Sequence, residues 1–436
     1  MKNLVKVCLL AFVLVLGIGE ALGQFVWTKD ARDPVFTGVS GTWSANVFTP
    51  CVLFNPDSAR YEMWFNATPG PQSDPSWRPY SIGRAVSSDG ITWSMYPSPV
   101  LSPDPGTWDS VTTDAPQVLR ENGQYKMWYS SYNNNLPSKP GYFGYATSPD
   151  GIHWTKYSGN PIFGPGTAAW EAAGPYTCCV VSKQGGYKMW YDGWNLSLTM
   201  TKIGYAESSD GINWIRDTVS NPVLGVGGPG QWDDASLTQP NVVVIGDSSY
   251  VWYVGNQGGN GGYTGMAVSK DGRTNWTKSP ANPILVPTVG TWDAERTCVG
   301  TVLRVGDTLH MWYDGWRTPF TSYQYRIGHA TSPVVVTAIA MDDGKGNIPG
   351  AFLLDQNYPN PFNPSTTITY ELPKTTVVGL RVYDLLGREV SVLVNEKRNA
   401  GVHEVTFDAV GLSSGVYFYR LQAGGFTQTR KLCLIK

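Results

Sequence analysis

The chain has 436 residues, a formal net charge of −2 and 13% aromatic residues, with 49 glycines and 31 prolines. Its basic residues are scattered, which excludes a polybasic stripe for nucleic acid or for an anionic membrane surface. The composition indicates an all-β protein of short strands and tight turns, with room for one large and one small domain.

The first 23 residues predict a secretory signal peptide. Lys2 and Lys6 precede an apolar run over residues 7–18, and Ala21-Leu22-Gly23 supplies the small residues of a cleavage site. The apolar run is short for a membrane span. We therefore expect a mature chain that begins near Gln24 and works outside the cytoplasm.

A pattern with a period of about 60 residues occupies residues 25–333. Each copy carries a Tyr-x-Met-Trp-Tyr-like strand, then a Gly-x-Ala strand, then a Ser-x-Asp-Gly turn followed by Trp. Such a repeat is typical of propellers, in which each copy forms one blade. Five copies predict an all-β, five-bladed β-propeller over residues 24–340. The turn aspartates are Asp89, Asp150, Asp210 and Asp271.

The fifth copy ends at Pro333, before its turn and its last strand. The segment Phe25-Val26-Trp27-Thr28-Lys29 matches the last strand of the other copies, such as His153-Trp154-Thr155-Lys156. We expect this N-terminal segment to complete the fifth blade and to close the ring, which leaves no open sheet edge.

Two sets of acids recur with the repeat, which favours a structural role for both. An Asp-Gly pair between strands is a hairpin signal, and these turns resemble the Asp-box turns of sialidase-type propellers, which lie away from the active site. The second set follows the Trp that precedes each inner strand, and we interpret it as turn or cap carboxylates. Its members are Asp109, Glu171, Asp233 and Asp293.

Other acids break the repeat and are better candidates for chemistry. Asp114 has no acid at the equivalent places in the other copies, which hold Phe48, Tyr176, Thr238 and Cys298. Asp234, Glu295 and Arg296 are also unmatched, and Asp-Gly-Trp follows the Met-Trp-Tyr strand in only two copies, at Asp192 and Asp314. Inner strands of a propeller line one funnel, so these residues should converge. Each one alone also fits a solvated loop acid or an inter-blade salt bridge.

The turns and the Asn-Pro segments at Asn160, Asn221 and Asn282 together resemble the five-bladed glycoside hydrolase superfamily. That superfamily includes arabinanases, xylosidases, fructosidases and related mannoside phosphorylases, and the resemblance implies a carbohydrate-active propeller over residues 24–333. The places that match its catalytic acids hold Thr49, Ala115, Thr177 and Gln239, so its triad does not transfer. The alternative is that Glu171 replaces the Glu acid of the triad in a shifted register, with Asp114 as its partner.

A sugar site needs an acid, a base or nucleophile, and flat apolar faces for the ring. The predicted catalytic residues are Asp114, Glu171, Asp192, Glu295 and Asp314, with Trp194, Trp316 and Arg296 binding the sugar. The predicted partner is a poly- or oligosaccharide. A non-catalytic glycan-binding propeller and a cell-surface scaffold remain alternatives.

No metal site or cofactor is predicted. The four histidines, His153, His310, His329 and His403, are expected not to cluster. A calcium or sodium ion in the channel remains an alternative, but the sequence contains no recognisable ligand loop for it. Five cysteines follow residue 23, an odd number without regular spacing, which favours buried free thiols. A Cys51–Cys298 bridge is the alternative.

A second domain is expected over residues 351–436, after a linker of turn-forming residues at 341–350. It contains Asn357-Tyr358-Pro359-Asn360-Pro361-Phe362, Val382-Tyr383-Asp384-Leu385-Leu386-Gly387-Arg388 and Leu412-Ser413-Ser414-Gly415-Val416-Tyr417. These motifs closely resemble the type A C-terminal sorting domain of the type IX secretion system. The resemblance implies a small immunoglobulin-like β-sandwich that directs export across the outer membrane of a Gram-negative bacterium. An accessory module that binds a ligand itself is the alternative, and we expect a monomer that binds no nucleic acid.

Overall fold

The computed structural model describes residues 25–70, 79–132, 140–257, 260–317, 325–334, 352–357, 360 and 362–435. The predicted signal peptide (1–23) and linker (341–350) lie outside the described residues. The chain divides into two compact units, Met1–Val336 and Thr337–Lys436.

The first unit consists of antiparallel sheets that follow one another along the chain. It begins with two short strands, β1 (Thr28–Lys29) and β2 (Phe36–Thr37). In the described part of the unit, four successive four-stranded sheets come next. Their strands are β3 (Asn46–Asn55), β4 (Arg60–Thr68), β5 (Ser81–Ser87) and β6 (Ser94–Met95); β7 (Asp114–Glu121), β8 (Gln124–Tyr132), β9 (Gly141–Ser148) and β10 (Thr155–Lys156); β11 (Gly174–Lys183), β12 (Gly186–Trp194), β13 (Thr201–Ser208) and β14 (Trp214–Arg216); and β15 (Ser236–Ile245), β16 (Ser248–Gln257), β17 (Asn260–Ser269) and β18 (Thr277–Lys278).

The fifth sheet joins the two ends of the repeat region. It contains β19 (Arg296–Val305), β20 (Thr308–Trp316) and β21 (Arg326–Pro333). β1 pairs with the outer edge of β21, with Thr28 opposite Thr331, and β2 pairs with β21 near Ile327. The prediction that the N-terminal segment completes the last sheet is confirmed.

In four of the five sheets of the described unit, a buried tryptophan on the second strand donates a hydrogen bond to the neighbouring sheet. The Trp64 indole donates to the Gly151 carbonyl, Trp128 to Gly211, Trp190 to Gly272, and Trp312 to Gly90. Because Gly90 belongs to the first sheet and Trp312 to the fifth, the sheets close into a ring. Their acceptors are the Asp-Gly turns, so the structural role predicted for these turns is confirmed.

The fourth sheet shows what happens where the turn is missing. Trp252 would face the turn that the fifth copy lacks, and its indole nitrogen has no partner among the described residues. The rings of Phe25 and Trp27 pack on it instead, with centroid distances of 5.6 and 6.1 Å. The N-terminal segment therefore replaces the missing turn by apolar contact as well as by strand pairing.

Two kinds of glycine are required by this packing. At Gly90 the backbone has φ +76°, and an added Cβ would lie 3.1 Å from the Trp312 ring. At Gly204, in the Gly-x-Ala strand, an added Cβ would lie 2.6 Å from both Trp170 and Tyr191. The repeated glycines are thus explained by turn conformation and by close ring packing.

The repeated acids that precede the inner strands form a buried trio with a tyrosine and a cation. Asp109 accepts hydrogen bonds from Tyr129 at 3.0 Å and from Lys156 at 2.7 Å. Each trio ties the entry loop of a sheet to its second and fourth strands. The other three trios are Glu171–Tyr191–Arg216, Asp233–Tyr253–Lys278 and Asp293–Tyr313–Lys29.

The first sheet lacks all three members of the trio. Ser44 follows Trp43 in place of the acid, Phe65 replaces the tyrosine, and Met95 pairs with Ala85 where the cation stands elsewhere. A buried carboxylate that lacks its cation lowers the stability of the fold. A sheet that loses one member of the trio is therefore expected to lose all three. This supports the structural interpretation of the repeated acids.

The second unit contains two antiparallel sheets around one apolar core. One sheet holds β22 (Leu353–Leu354), β23 (Ser365–Leu372) and β26 (Gly401–Asp408); the other holds β24 (Thr376–Tyr383), β25 (Glu389–Arg398), β27 (Gly415–Ala423) and β28 (Phe426–Leu434). The sorting-domain motifs therefore lie in a small all-β unit, as expected.

Helix is nearly absent from the described chain, as the composition predicts. The described residues include a 3-10 helix at Ala169–Glu171. Within the same residues, no helix has the length and apolar character needed to cross a bilayer. The chain is therefore all-β where the structure describes it.

Candidate functional site

The first strands of the five sheets meet at a narrow central channel. It encloses about 20 Å³ and is lined by residues of β3, β7, β11, β15 and β19. A larger cavity of about 430 Å³ adjoins it and shares Thr49 and Gln239 with it. Aromatic side chains dominate the wall of this cavity: Phe48, Tyr80, Tyr132, Tyr176, Trp194 and Tyr325. The inner-strand residues thus converge on a channel and an adjoining cavity, as predicted.

The backbone is irregular where these strands begin. Thr49, Ala115 and Gln239 have φ values of 47°, 46° and 52°, in the left-handed region that non-glycine residues seldom occupy. The strand pairing also shifts register at the same places. The effect is to turn main-chain amides toward buried carboxylates, and such local strain clusters at functional sites.

Asp314 is the predicted catalytic acid that reaches the cavity itself. It lies on β20, is almost fully buried, and accepts a hydrogen bond from the Thr49 amide at 3.1 Å. Burial raises the pKa of Asp314, and the positive charge of Arg296 opposes that rise. Arg296 and the Thr49 amide therefore favour the ionised form of this carboxyl group.

Among the described residues that line the cavity, Arg296 is the one that carries a positive charge. It is the first residue of β19, and it pairs across the sheet with Trp316, whose ring lies 5.2 Å from the guanidinium carbon. Its Nε donates to the Cys298 sulfur at 2.7 Å. Trp316 does not line the cavity, but it packs on Tyr325, which does, at a centroid distance of 4.6 Å. Trp316 thus supports the predicted binding residue Arg296.

Asp114 lies behind the cavity wall. Its side chain is fully buried, and its Oδ2 accepts a hydrogen bond of 2.5 Å from the phenol of Tyr176, which lines the cavity. Its Oδ1 accepts from the Ala115 amide at 2.7 Å. Burial, together with the negative charge of Asp314, raises the pKa of Asp114 to about 7. Such a carboxyl group is half protonated near neutral pH.

Asp192 is buried and fully engaged by hydrogen bonds. Its Oδ1 accepts from the amides of Tyr176 and Thr177, and its Oδ2 accepts from the Thr177 hydroxyl at 2.6 Å. The Gln239 amide donates to Oδ2 at 3.4 Å. Burial raises the pKa of Asp192 to about 6. This residue fixes the backbone that carries Tyr176 and Gln239.

The remaining candidate acids are not among the residues that line the cavity. Glu171 accepts hydrogen bonds from Tyr191 and Arg216 as part of a repeated trio. Glu295 is exposed just before β19, and its amide donates to the Trp316 carbonyl. Asp234 accepts from the Gly230 amide in an exposed loop. The structure thus brings Asp114, Asp192, Asp314, Trp194 and Arg296 together.

Sequence reasoning missed the residue that connects these groups, Tyr176. It occupies the place in its own copy of the repeat that Asp114 occupies in another, but in a chain with 24 tyrosines it resembles a core residue. Gln239 and Tyr325 were missed for similar reasons. A comparison of every polar residue at the unmatched inner-strand positions, instead of acids alone, would have found Tyr176.

The prediction that the histidines do not cluster is wrong for two of them. Nδ1 of His310 and Nε2 of His329 lie 3.0 Å apart, because β20 and β21 pair in antiparallel register. Burial lowers the pKa of His329 to about 4, and it also lowers that of His310. Among the described residues, no group of three or more His, Cys, Asp and Glu side chains is arranged to hold a metal.

The five cysteines of the described chain are all free. Cys51 and Cys298 do not form the alternative bridge: Cys51 accepts from the Val118 amide, and Cys298 accepts from Arg296. Burial raises the pKa of Cys51 to about 11 and that of Cys298 to about 12. The predicted buried free thiols are confirmed for Cys51, Cys178, Cys179 and Cys298, and Cys433 is partly exposed.

Comparison with known families identifies the C-terminal part. Residues 356–436 match the secretion system C-terminal sorting domain. This confirms the resemblance based on the three motifs and supports export of the chain to the cell exterior or cell surface.

The repeat region has a relative in mycobacteria. Over 256 residues the chain is 30% identical to the uncharacterized protein MT1551 of Mycobacterium tuberculosis (strain CDC 1551 / Oshkosh), covering 57% of this chain and 71% of that protein. The uncharacterized protein Rv1502 from a second strain of the same species matches to the same extent. This chain belongs to the same protein family as these two mycobacterial proteins.

Solved structures resemble this fold at low sequence identity. One is a β-1,2-mannobiose phosphorylase from Listeria innocua in complex with β-1,2-mannobiose, at 15% identity and a TM-score of 0.55, covering 71% of this chain and 97% of that one. Another, described in a study of GH130 mannoside phosphorylases and hydrolases that target β-1,2-mannosidic linkages in Candida mannan, has 17% identity and a TM-score of 0.56, covering 70% and 93%. A third is a glycosyl hydrolase from Bacteroides ovatus, with 17% identity and a TM-score of 0.56, covering 70% and 93%. These neighbours establish a glycoside hydrolase-like propeller fold.

Proposed function

We propose that this protein is a secreted carbohydrate-active enzyme that binds a short saccharide in the 430 Å³ cavity and cleaves a glycosidic bond there. In this proposal the ring of sheets over residues 24–340 is a five-bladed propeller of the arabinanase- and mannoside phosphorylase-like superfamily. Residues 351–436 are an immunoglobulin-like sandwich that engages the type IX secretion machinery, and residues 1–23 are a signal peptide.

The observation that carries the proposal is the combination of groups on the cavity wall. Six aromatic rings surround a buried carboxylate, Asp314, and a guanidinium, Arg296. Flat aromatic faces bind the C–H side of a sugar, while a carboxylate and a guanidinium bind its hydroxyl groups. The volume lies within the range of about 300–1,000 Å³ that is usual for small-molecule sites.

The buried carboxyl groups have surroundings that separate their roles. Asp314 faces the cavity and is held by the Thr49 amide, which suits a general base or nucleophile. Asp114 has a pKa of about 7 and is protonated in mildly acidic solution, which suits the acid side of the reaction. Asp192 positions the backbone between them. Glycoside cleavage needs such a pair of unlike carboxyl groups.

The test is a product assay on the purified protein. Oligosaccharides from plant and microbial glycans, including β-1,2-mannobiose, would be incubated with and without phosphate, and released sugars would be measured by chromatography. Wild type should release sugar, and Asp314→Asn should lose at least about 100-fold of that activity. Dependence on phosphate would assign phosphorolysis. Absence of release from every substrate would reject the enzymatic function.

A non-catalytic glycan-binding protein is the second candidate, and one observation favours it. Of the carboxylates in the described chain, Asp314 lines the cavity while Asp114 and Asp192 are covered. Binding of one immobilised glycan without release of product would support this candidate. Neither binding nor release would leave a cell-surface scaffold as the remaining function.

A further inference from the structure

Tyr176 connects a buried carboxyl group to the cavity. It is the third residue of β11, its side chain lines the cavity, and its phenol forms a 2.5 Å hydrogen bond with Asp114 Oδ2. Asp114 belongs to the neighbouring sheet and does not line the cavity. The phenol therefore lies between the buried carboxyl group and the cavity.

The surroundings of Asp114 are polar and closed. Ser130 stands opposite Asp114 on β8, and Asn66 accepts a hydrogen bond from the adjacent Ala115 amide at 2.9 Å. Both side chains are fully buried, and the Ser130 hydroxyl and the Asn66 amide nitrogen have no partner in the described chain. Two buried polar groups without a partner among the described residues therefore belong to residues next to Asp114: one residue pairs with it across the sheet, and the other is bound to the amide that follows it.

Tyr176 is held in place from the other side. Its amide donates to Asp192 Oδ1 at 2.9 Å, and the next residue, Thr177, donates both its amide and its hydroxyl to the same carboxylate. The Tyr132 ring packs beside it at a centroid distance of 6.2 Å. Asp192 is thus a positioning residue, and the phenol has a fixed direction relative to Asp114.

We infer that Tyr176 donates the proton to the departing glycosidic oxygen and is reprotonated by Asp114, an inference that rests on the proposed function. The O–H proton of Tyr176 passes to the leaving oxygen as the bond from that oxygen to the sugar carbon breaks. The carboxylic proton of Asp114 passes to the phenol oxygen. Water adds to the sugar carbon and gives its proton to Asp314, and exchange with solvent restores Asp114 and Asp314.

The acid–base properties of the pair agree with this order of transfer. Burial and the charge of Asp114 raise the pKa of Tyr176 well above its usual value, so the phenol keeps its proton at rest. It is a weak acid by itself, and it can release this proton only as Asp114 supplies another. The pKa of Asp114, about 7, leaves the carboxyl group protonated in mildly acidic solution. The other titratable or charged residues of the cavity wall are Asp314, Arg296, Tyr80, Tyr132 and Tyr325.

The decisive variants are Tyr176→Phe and Asp114→Asn, assayed on two substrates. One is the saccharide that wild type cleaves, and the other is the nitrophenyl glycoside of the same sugar, whose leaving group needs no proton. For the natural saccharide, we expect kcat to fall at least about 100-fold with KM within about 2-fold. For the nitrophenyl glycoside, the loss should be less than about 10-fold.

The pH profile separates a proton donor from a structural residue. Wild-type kcat should decline above about pH 7, where Asp114 loses its proton, and this decline should be absent from the residual activity of both variants. Tyr157→Phe, an exposed tyrosine remote from the cavity lining, is the matched control and should retain wild-type kinetics. Unfolding curves of Tyr176→Phe would show that the fold is intact.

Two outcomes overturn the inference in different ways. Equal losses on both substrates, or an unchanged decline above pH 7 in Tyr176→Phe, would show that wild type cleaves saccharides without this donor, and the proposed function would stand. Absence of turnover by wild type on all substrates would remove the proposed function and the inference together.

Discussion

At the scale of single residues, three aspartates with the same side chain have three different surroundings. Asp314 faces the cavity, Asp114 lies behind a phenol, and Asp192 accepts hydrogen bonds from Tyr176, Thr177 and Gln239. None of the three recurs in all copies of the repeat, which is why the sequence could predict them. Their division of roles could not be predicted, because it depends on which neighbouring side chain covers each carboxyl group.

Trp194 provides a residue-scale test of saccharide binding. Its ring lines the cavity at the end of β12. Removal of an aromatic contact costs about 1 kcal/mol or more, so Trp194→Ala should weaken saccharide binding by about 5- to 10-fold in isothermal titration. Tyr157→Ala, which removes an exposed ring outside the cavity lining, should leave the affinity unchanged. Equal affinities for wild type and Trp194→Ala would place the saccharide elsewhere.

At the scale of the repeated sheets, the sequence predicted both the strands and the structural nature of the recurring acids. The exception was Glu171, which was also kept as a candidate catalytic acid. It occupies a trio position, with its carboxylate bound by Tyr191 and Arg216. The two partners of Glu171 lie 20 and 45 residues away along the chain, so the trio became visible only in the folded chain.

The trio Asp233–Tyr253–Lys278 of the fourth sheet can be replaced by the residues that the first sheet has at the same positions. Lys278→Met alone leaves the buried Asp233 carboxylate without its cation and should lower the free energy of unfolding by about 3 kcal/mol. The triple variant Asp233→Ser, Tyr253→Phe and Lys278→Met copies Ser44, Phe65 and Met95, and it should recover most of that loss. Urea unfolding measures both values. A triple variant as unstable as the single one would contradict the interpretation.

At the scale of the whole molecule, ring closure was predictable because the N-terminal segment repeats a motif that the fifth copy lacks. Deletion of residues 25–37 removes the strand partner of β21, the rings that cover Trp252, and the Lys29 partner of Asp293. We expect a large decrease in the melting temperature and aggregation through the exposed strand edge. Val26→Ala, an exposed position in the same segment, is the control. An unchanged melting curve after the deletion would show that the ring needs no closure.

The pH dependence of stability is also a property of the whole molecule. Burial raises the pKa of Asp114 to about 7, and that of Asp33 and Asp192 to about 6, so their contribution is fully present below about pH 4 and is lost as the pH rises from there to about 7. Main-chain amides lower the pKa of the turn aspartate Asp89, whose contribution is lost as the pH falls below about 4.

The melting temperature should therefore be highest near pH 4 and should decline from there to about pH 7. Asp114→Asn should reduce the decline on the alkaline side, because the buried group can no longer ionise. Thermal unfolding from pH 3 to 9 tests this. A melting temperature that increases steadily from pH 5 to pH 8 would be inconsistent with three buried carboxyl groups of raised pKa.

The most direct measurement of the central claim is a crystal structure of Asp314→Asn soaked with the saccharide that wild type cleaves. We predict a sugar in the cavity, with its ring against an aromatic wall residue, Arg296 on a hydroxyl group, and the glycosidic oxygen within hydrogen-bond distance of the Tyr176 phenol. An empty cavity with the saccharide bound elsewhere on the protein would contradict the assignment of this site.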